Sequence, residues 1–282
     1  MRERRNLSIF GKKYSLILFL FFGILIQDSA ARGETGGMAL KTPGHRFMVM
    51  VTERAVDYFQ FRQDLSLTDD QMISIRGILR NTRRALIQQD AFLKLEMDVL
   101  GRLLLNPVFE EQLLINQLEL VEDLIKNETK TWLQGLEELQ AVLNKEQILT
   151  YAFIKGVPLP VMEFPRGEYE GMARKVMDRH GEFFLKKKKE LELLDMQVQK
   201  LSSLNQQYLW EMVSRSTLFE SGQFEVQDLV SEPVINFEAL RKQVLENEKL
   251  KSVFFSTMVS YLTQTQKVLT PQQVNGLVQV LN

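Results

Sequence analysis

The residues able to do chemistry are few. The 282-residue chain has no cysteine and two histidines, His45 and His180. Without thiolates, disulfides, Fe–S clusters, thiolate zinc sites and cysteine nucleophiles are excluded. A metal site needs three or four converging ligands. Neither imidazole has a second histidine at helical spacing, so no metal site is expected. The 12 methionines could offer soft ligands, and Met48, Met50, Met172 and Met177 lie near helical faces. Methionine more often fills irregular gaps in a core or serves an adaptable binding surface. The remaining acid/base groups are carboxylates, expected on solvated helix faces, where nothing shifts a pKa toward catalysis. There is no nucleophile elbow, no phosphate-binding glycine loop and no H-E-x-x-H. No catalytic residue, no cofactor and no enzymatic activity are expected.

The elements that would position these residues are helices. From Thr68 onward Met72, Leu79, Leu86, Leu93 and Leu100 recur every seven residues, and Ile75, Ile78, Phe92, Val99 and Leu103 widen the stripe to a core-facing band. Thr68 can cap the helix, with Asp69 and Asp70 in its first turn. This predicts a helix over 68–105, ended by Asn106-Pro107. A second stripe through Leu114, Leu118, Val121, Ile125, Trp132 and Leu139 predicts a helix over 107–142, with Pro107 in its first turn. The short connection makes the pair an antiparallel hairpin. Asn144 caps a final helix to about Ile154. Gly156 to Gly167 holds three of the seven prolines and reads as a linker. The fold class is all-α. Low glycine and proline content argues against turn-rich β architectures.

The second half repeats the first at an offset of 126 residues. Leu67, Asp69 and Gln71 recur as Leu193, Asp195 and Gln197. Pro107-Val108 recurs as Pro233-Val234. Gln140, Val142, Leu143 and Gln147 recur as Gln266, Val268, Leu269 and Gln273. Two copies of one helical module follow, over 47–155 and 168–282, the second with helices near 194–230 and 236–268. A lone hairpin exposes a long apolar stripe. The tether between the copies favours pairing within the chain, so a monomer folded as a pseudo-dimer is expected.

The N-terminus reads as an export signal: Arg2, Arg4, Arg5, Lys12 and Lys13, an apolar run from Tyr14 to Ile26, and small residues at Ser29 and Ala31. Cleavage after residue 31 leaves a flexible segment over 32–46. The mature chain then carries 30 basic and 34 acidic residues, a net charge of -4. That balance gives no reason to expect nucleic-acid binding. The run is too short to span a bilayer as a helix, and no stable membrane insertion is expected after cleavage.

Each module is bracketed by Leu-x-x-x-Gln elements: Leu67-Thr68-x-x-Gln71 and Leu143-x-x-x-Gln147, then Leu193-x-x-x-Gln197 and Leu269-Thr270-x-x-Gln273. Their physical reading is a helix start, with a capping Thr or Asn and a Gln that bonds back to exposed backbone. Paired elements of this kind around a helical hairpin, behind an export signal, resemble the Spy/CpxP family of periplasmic stress proteins, to which metal-responsive proteins are related. Only the first and last elements keep the Thr, and the family's chains carry one module where this chain carries two. The resemblance implies a cradle of helical hairpins in the periplasm. It also implies an ATP-independent chaperone or envelope-stress adaptor that binds unfolded or misfolded envelope proteins, some members also restraining a sensor kinase. The alternative it implies is a metal-responsive sensor or resistance protein of the same fold. Met48, Met50, Phe59 and Phe61 precede the first motif, and Phe183 and Phe184 the second. These residues either plug the hairpin ends or form a surface for unfolded clients. Lys186 to Lys189 read as a solvated helix face.

Overall fold

Why each helix begins where it does is visible in the caps. The computed structural model describes residues 43–156 and 168–281. The expected signal, residues 32–42 and linker residues 157–167 lie outside them. Nine helices are present among the described residues: α1 Pro43–Gln60, α2 Asp69–Leu105, α3 Glu111–Ala141, α4 Lys145–Lys155, α5 Glu168–Arg179, α6 Gly181–Lys186, α7 Asp195–Ser231, α8 Phe237–Val268 and α9 Pro271–Leu281. No described residue is in a strand, and the protein is all-α. At α2 the Thr68 hydroxyl accepts from the Gln71 amide at 3.2 Å, and Gln71 Oε1 accepts from the Thr68 amide at 3.0 Å. This is the reciprocal box that satisfies two orphan donors of a helix start. Asn144 with Gln147 does the same for α4, and Thr270 with Gln273 for α9. The fourth element differs. Leu194 occupies the cap position of α7 and has no side-chain acceptor, so only the Gln197 half of the box is made.

Two boundaries depart from the sequence expectation. The segment expected to be flexible over 32–46 is helical from Pro43, a residue whose fixed φ is suited to a first helical turn. Pro107 does not open the second helix. Asn106 sits extended, with φ -82 and ψ 116, and its side chain accepts from the Val108 amide at 3.1 Å. That local turn delays α3 to Glu111.

The described residues belong to one compact unit, and its cores mix the two modules. One core joins Leu104, Leu114 and Val121, from the half of the first hairpin near its tip, to Met172 and Val176 of α5. Tyr208, Met212, Phe254 and Met258 of the second hairpin complete it. Another core joins α1 and the base of the first hairpin, including Tyr58, Ile75, Trp132 and Leu139, to Val226, Val230, Ile235 and Leu240 at the tip of the second. The tip of each hairpin therefore packs beside the base of the other. A third cluster, of Phe184, Leu191, Leu201, Leu269 and Leu277, closes the base of the second hairpin, with Val108 packed against it. Each fully buried Leu, Ile or Phe here contributes roughly 1.5–3 kcal/mol.

Candidate functional site

The four Leu-x-x-x-Gln elements meet in pairs. In the first module Gln71 and Gln147 exchange amides: Gln71 Nε2 donates to Gln147 Oε1 at 2.8 Å, and Gln147 Nε2 donates to Gln71 Oε1 at 3.0 Å. The other donor of Gln71 goes to the Val142 carbonyl at 2.8 Å, and that of Gln147 to the Leu65 carbonyl at 3.1 Å. Each Oε1 also accepts from its own cap backbone. Every hydrogen-bonding position of both amides is used. The second module repeats the arrangement with Gln197 and Gln273, bonded to each other at 2.9 and 3.2 Å and to the carbonyls of Val268 and Leu191 at 2.7 and 3.0 Å. Ser66 and Glu192, both at φ 50, turn the chain at the same point of each copy. Such left-handed residues cost on the order of 1–3 kcal/mol, which the clamp helps offset. Leu143 and Leu269 are buried and Leu67 and Leu193 half-buried beside the clamps. The motif residues are thus brought together as a structural lock of the hairpin base.

A second pair of contacts ties the modules together. Arg54, 1% exposed, reaches from α1 to the tip of the second hairpin. Its guanidinium donates to the carbonyls of Val230, Glu232 and Pro233 at 2.6, 2.7 and 3.0 Å, and to the Tyr151 hydroxyl at 3.3 Å. Tyr151 in turn donates to Asp57 at 2.9 Å, and Asp57 pairs with Lys155 at 2.7 Å. Burial pushes the Tyr58 hydroxyl up to about 12 and raises Tyr151 still further. Glu53 is raised by burial and by Asp57. The residue 126 positions after Arg54 is His180. It is buried, and its Nε2 lies 2.7 Å from the carbonyl of Leu104, the equivalent of Val230, at the tip of the first hairpin. A carbonyl only accepts, so Nε2 carries the proton. Burial, opposed by that hydrogen bond, lowers His180 to about 4. Its surroundings are the edges of Phe109 and Phe184. Where Asp57 and Tyr151 serve Arg54, the second copy has Phe183 and Leu277.

Beside His180, Gly181 allows a close approach: a Cβ there would sit 1.9 Å from Asn205 Oδ1. The Gly181 amide donates to the Tyr261 hydroxyl at 3.2 Å, which donates to Asn205 at 2.8 Å. Tyr261 stacks on Tyr208 with ring centroids 4.0 Å apart. Further inter-module bonds run from Gln140 to the backbone of Ile235 and from Arg241 to Glu137.

The residues read as candidate client contacts are mostly internal. Met50 and Phe184 are buried, which corrects their expected availability: both lie on the apolar faces of α1 and α6 and belong to the cores. Met48, Phe59, Phe61 and Phe183 are half-buried and pack against the same clusters. Phe59 carries the Arg76 guanidinium over its ring at 5.7 Å, and Phe61 meets Tyr151 edge-on. Carboxylates are not all solvated either, since Asp57 and Glu128 are buried. Burial also raises Glu248, against the opposing effects of Lys126, Thr129 and Lys251. His45 lies in α1. Among the described residues no group of three or more His, Asp or Glu is placed to hold a metal. Phe92, expected on the core-facing band of α2, is instead 63% exposed, because its position falls about 100° from the face marked by Ile75, Leu86 and Leu93. Other large apolar side chains that face solvent were not singled out by sequence: Phe153 at 88%, Met196 at 78% and Trp210 at 74% exposed, with Leu149 one turn before Phe153. Arg54 carried a signal that went unread, because it shares the helical face of Val51, Ala55 and Tyr58.

No protein-family model, curated protein or solved structure matches the chain.

Proposed function

We propose that the protein is an exported, ATP-independent chaperone or envelope-stress adaptor that acts by binding unfolded or misfolded envelope proteins, without catalysing a reaction. The observation that carries this reading is the exposure of Phe153, Met196 and Trp210 on outer helix faces of both modules. A tryptophan or phenylalanine held this far in water gives nothing to the fold. Spread over α4 of the first module and α7 of the second, such side chains offer weak, separated contacts to a chain with no fixed shape. The interlocked glutamines and mixed cores keep those faces rigid, so that little ordering is needed on binding. The residue patterns that resemble the Spy/CpxP family, and the export signal before them, support the same reading and a periplasmic location.

The test is aggregation of a chemically denatured client followed by light scattering in the absence of ATP. The processed chain is expected to slow aggregation in proportion to its concentration. The Phe153→Ser/Trp210→Ser variant is expected to protect less, with an unchanged melting temperature. No protection at several-fold molar excess would remove the basis of the proposal.

A further inference from the structure

The outer face of α2 carries a basic row. From Gln71 to Gln89 the sequence holds four arginines and no acidic residue. The buried residues Ile75, Thr82, Leu86 and Leu93 mark the inner face of this helix. At 100° per residue, Ile73, Arg80, Arg84, Ile87 and Leu95 fall on the opposite side, within about 60° of diametrically opposite. Ile73, Ile87 and Leu95 are 64%, 54% and 62% exposed. The row is about 33 Å long at 1.5 Å per residue. Arg76, Arg83 and Lys94 flank it. Among the described residues Arg80, Arg83, Arg84 and Lys94 form no ion pair. The charges are therefore not spent on holding the fold.

The repeat supplies an internal control. The equivalents of Arg76, Arg80, Arg83 and Arg84 on α7 are Ser202, Gln206, Leu209 and Trp210. The same helix, at the same place in the same module, folds without a single one of these cations. Arg76 lies over the Phe59 ring within the module, but the presence of the other three on α2 answers to something outside it.

We infer that this face docks peripherally on an anionic phospholipid surface. Three features favour that occupant. Guanidinium groups match phosphate geometry and carry weakly held water. Interleaved isoleucine and leucine can enter the headgroup boundary while the arginine stems lie along it. The shape fits as well: α2 packs against α1, α3 and α5 through its inner side, so the outer row is a ridge of one helix. A ridge does not enclose an extended peptide, which needs a groove or a sheet edge, whereas a plane touches it along its whole length. No described helix is long and apolar enough to cross a membrane, so the contact is made by lying on the bilayer.

Flotation of the processed chain with vesicles tests this. Phosphatidylcholine alone is compared with phosphatidylcholine containing about 30% phosphatidylglycerol, at low and high salt. Binding is expected only to the anionic vesicles and is expected to fall at high salt. Arg80→Gln/Arg84→Gln is expected to weaken it about 30-fold, at about 1 kcal/mol for each basic residue at such a surface. Ile73→Ser/Ile87→Ser is expected to weaken it as well. Lys186→Gln/Lys188→Gln removes the same charge elsewhere and is expected to leave it unchanged. Circular dichroism confirms that each variant folds. The proposal is overturned by equal binding to neutral vesicles, by no binding at low salt, or by equal losses in the two charge variants. It is also overturned if the arginine variant loses protection of an aggregating client while vesicles are never bound, since an acidic polypeptide would then be the occupant.

Discussion

Acidification should loosen the protein through His180. The imidazole is buried between Phe109 and Phe184, donates from Nε2 to Leu104, and has no partner at Nδ1. Protonation would place a charge and a second unmet donor in an apolar site. Burial lowers its pKa from 6.5 to about 4. The unfolded chain therefore takes up this proton first, and stability falls with pH from about 6.5 downward, the loss levelling off below about 4. At 1.36 kcal/mol per pH unit, the cost reaches about 2 kcal/mol at pH 5 and about 3 kcal/mol at pH 4. His180→Gln keeps an amide donor for Leu104 and does not titrate. Urea midpoints for both proteins at pH 7.5, 6, 5 and 4 isolate the effect, because all carboxylates are common to the two. The parent is expected to lose about 2–3 kcal/mol more than the variant between pH 7.5 and 4. Parallel pH profiles would show that His180 is solvated in the folded state, and the account of its site would fail.

Two other perturbations address the glutamine clamps and the inter-module contact. Gln147→Glu keeps the shape of the side chain but removes both donors, taking this donor from the Leu65 carbonyl and leaving Gln71 Oε1 with only its bond from the Thr68 amide. A loss of about 2–3 kcal/mol is expected at neutral pH, and Gln273→Glu should cost a similar amount in chemical denaturation, because the two clamps are copies. Arg54→Met leaves the carbonyls of Val230, Glu232 and Pro233 without their common donor. At least about 3 kcal/mol is expected, with earlier amide exchange at 230–235 than at the tip of the first hairpin. Uniform exchange along both tips would speak against a local clamp.

Sequence periodicity located the long helices closely because Leu86, Leu93 and Trp132 sit on faces that are mostly apolar. Caps set the starts at Thr68, Asn144 and Thr270 because their side-chain oxygens have one obvious use. The offset of 126 residues matched Gln71 with Gln197 and Gln147 with Gln273, but a capping box alone does not reveal an exchange between two glutamines. The turn at Asn106 was hidden because it rests on one side-chain bond that competes with helix continuation. Arg54, Asp57 and Glu128 were hidden for another reason. Pattern reading assigns charges to water, whereas all three are buried, Arg54 and Asp57 among partners contributed by distant segments. Met50 and Phe184 show the converse, since composition says nothing about which way a helix faces. The arginine row on α2 was legible as spacing but is informative only beside its uncharged equivalent on α7.

The two copies have kept their locks and changed their faces, and the placement of those changes has a physical logic. The glutamine clamps act within one module, so each copy must preserve its own set, and both do. Arg54 and His180 act between modules at opposite ends of the paired hairpins. Two identical chains paired about a two-fold axis would have to use the same residue at both ends. Joined in one chain, the ends are free to differ. One is held by a permanent cation with Asp57 and Lys155 nearby, and the other by a neutral imidazole among aromatic rings. The second gives way as acid protonates His180, whose pKa burial lowers to about 4. Acid should therefore release the tip of the first hairpin, near Leu104, before the tip of the second, near Val230.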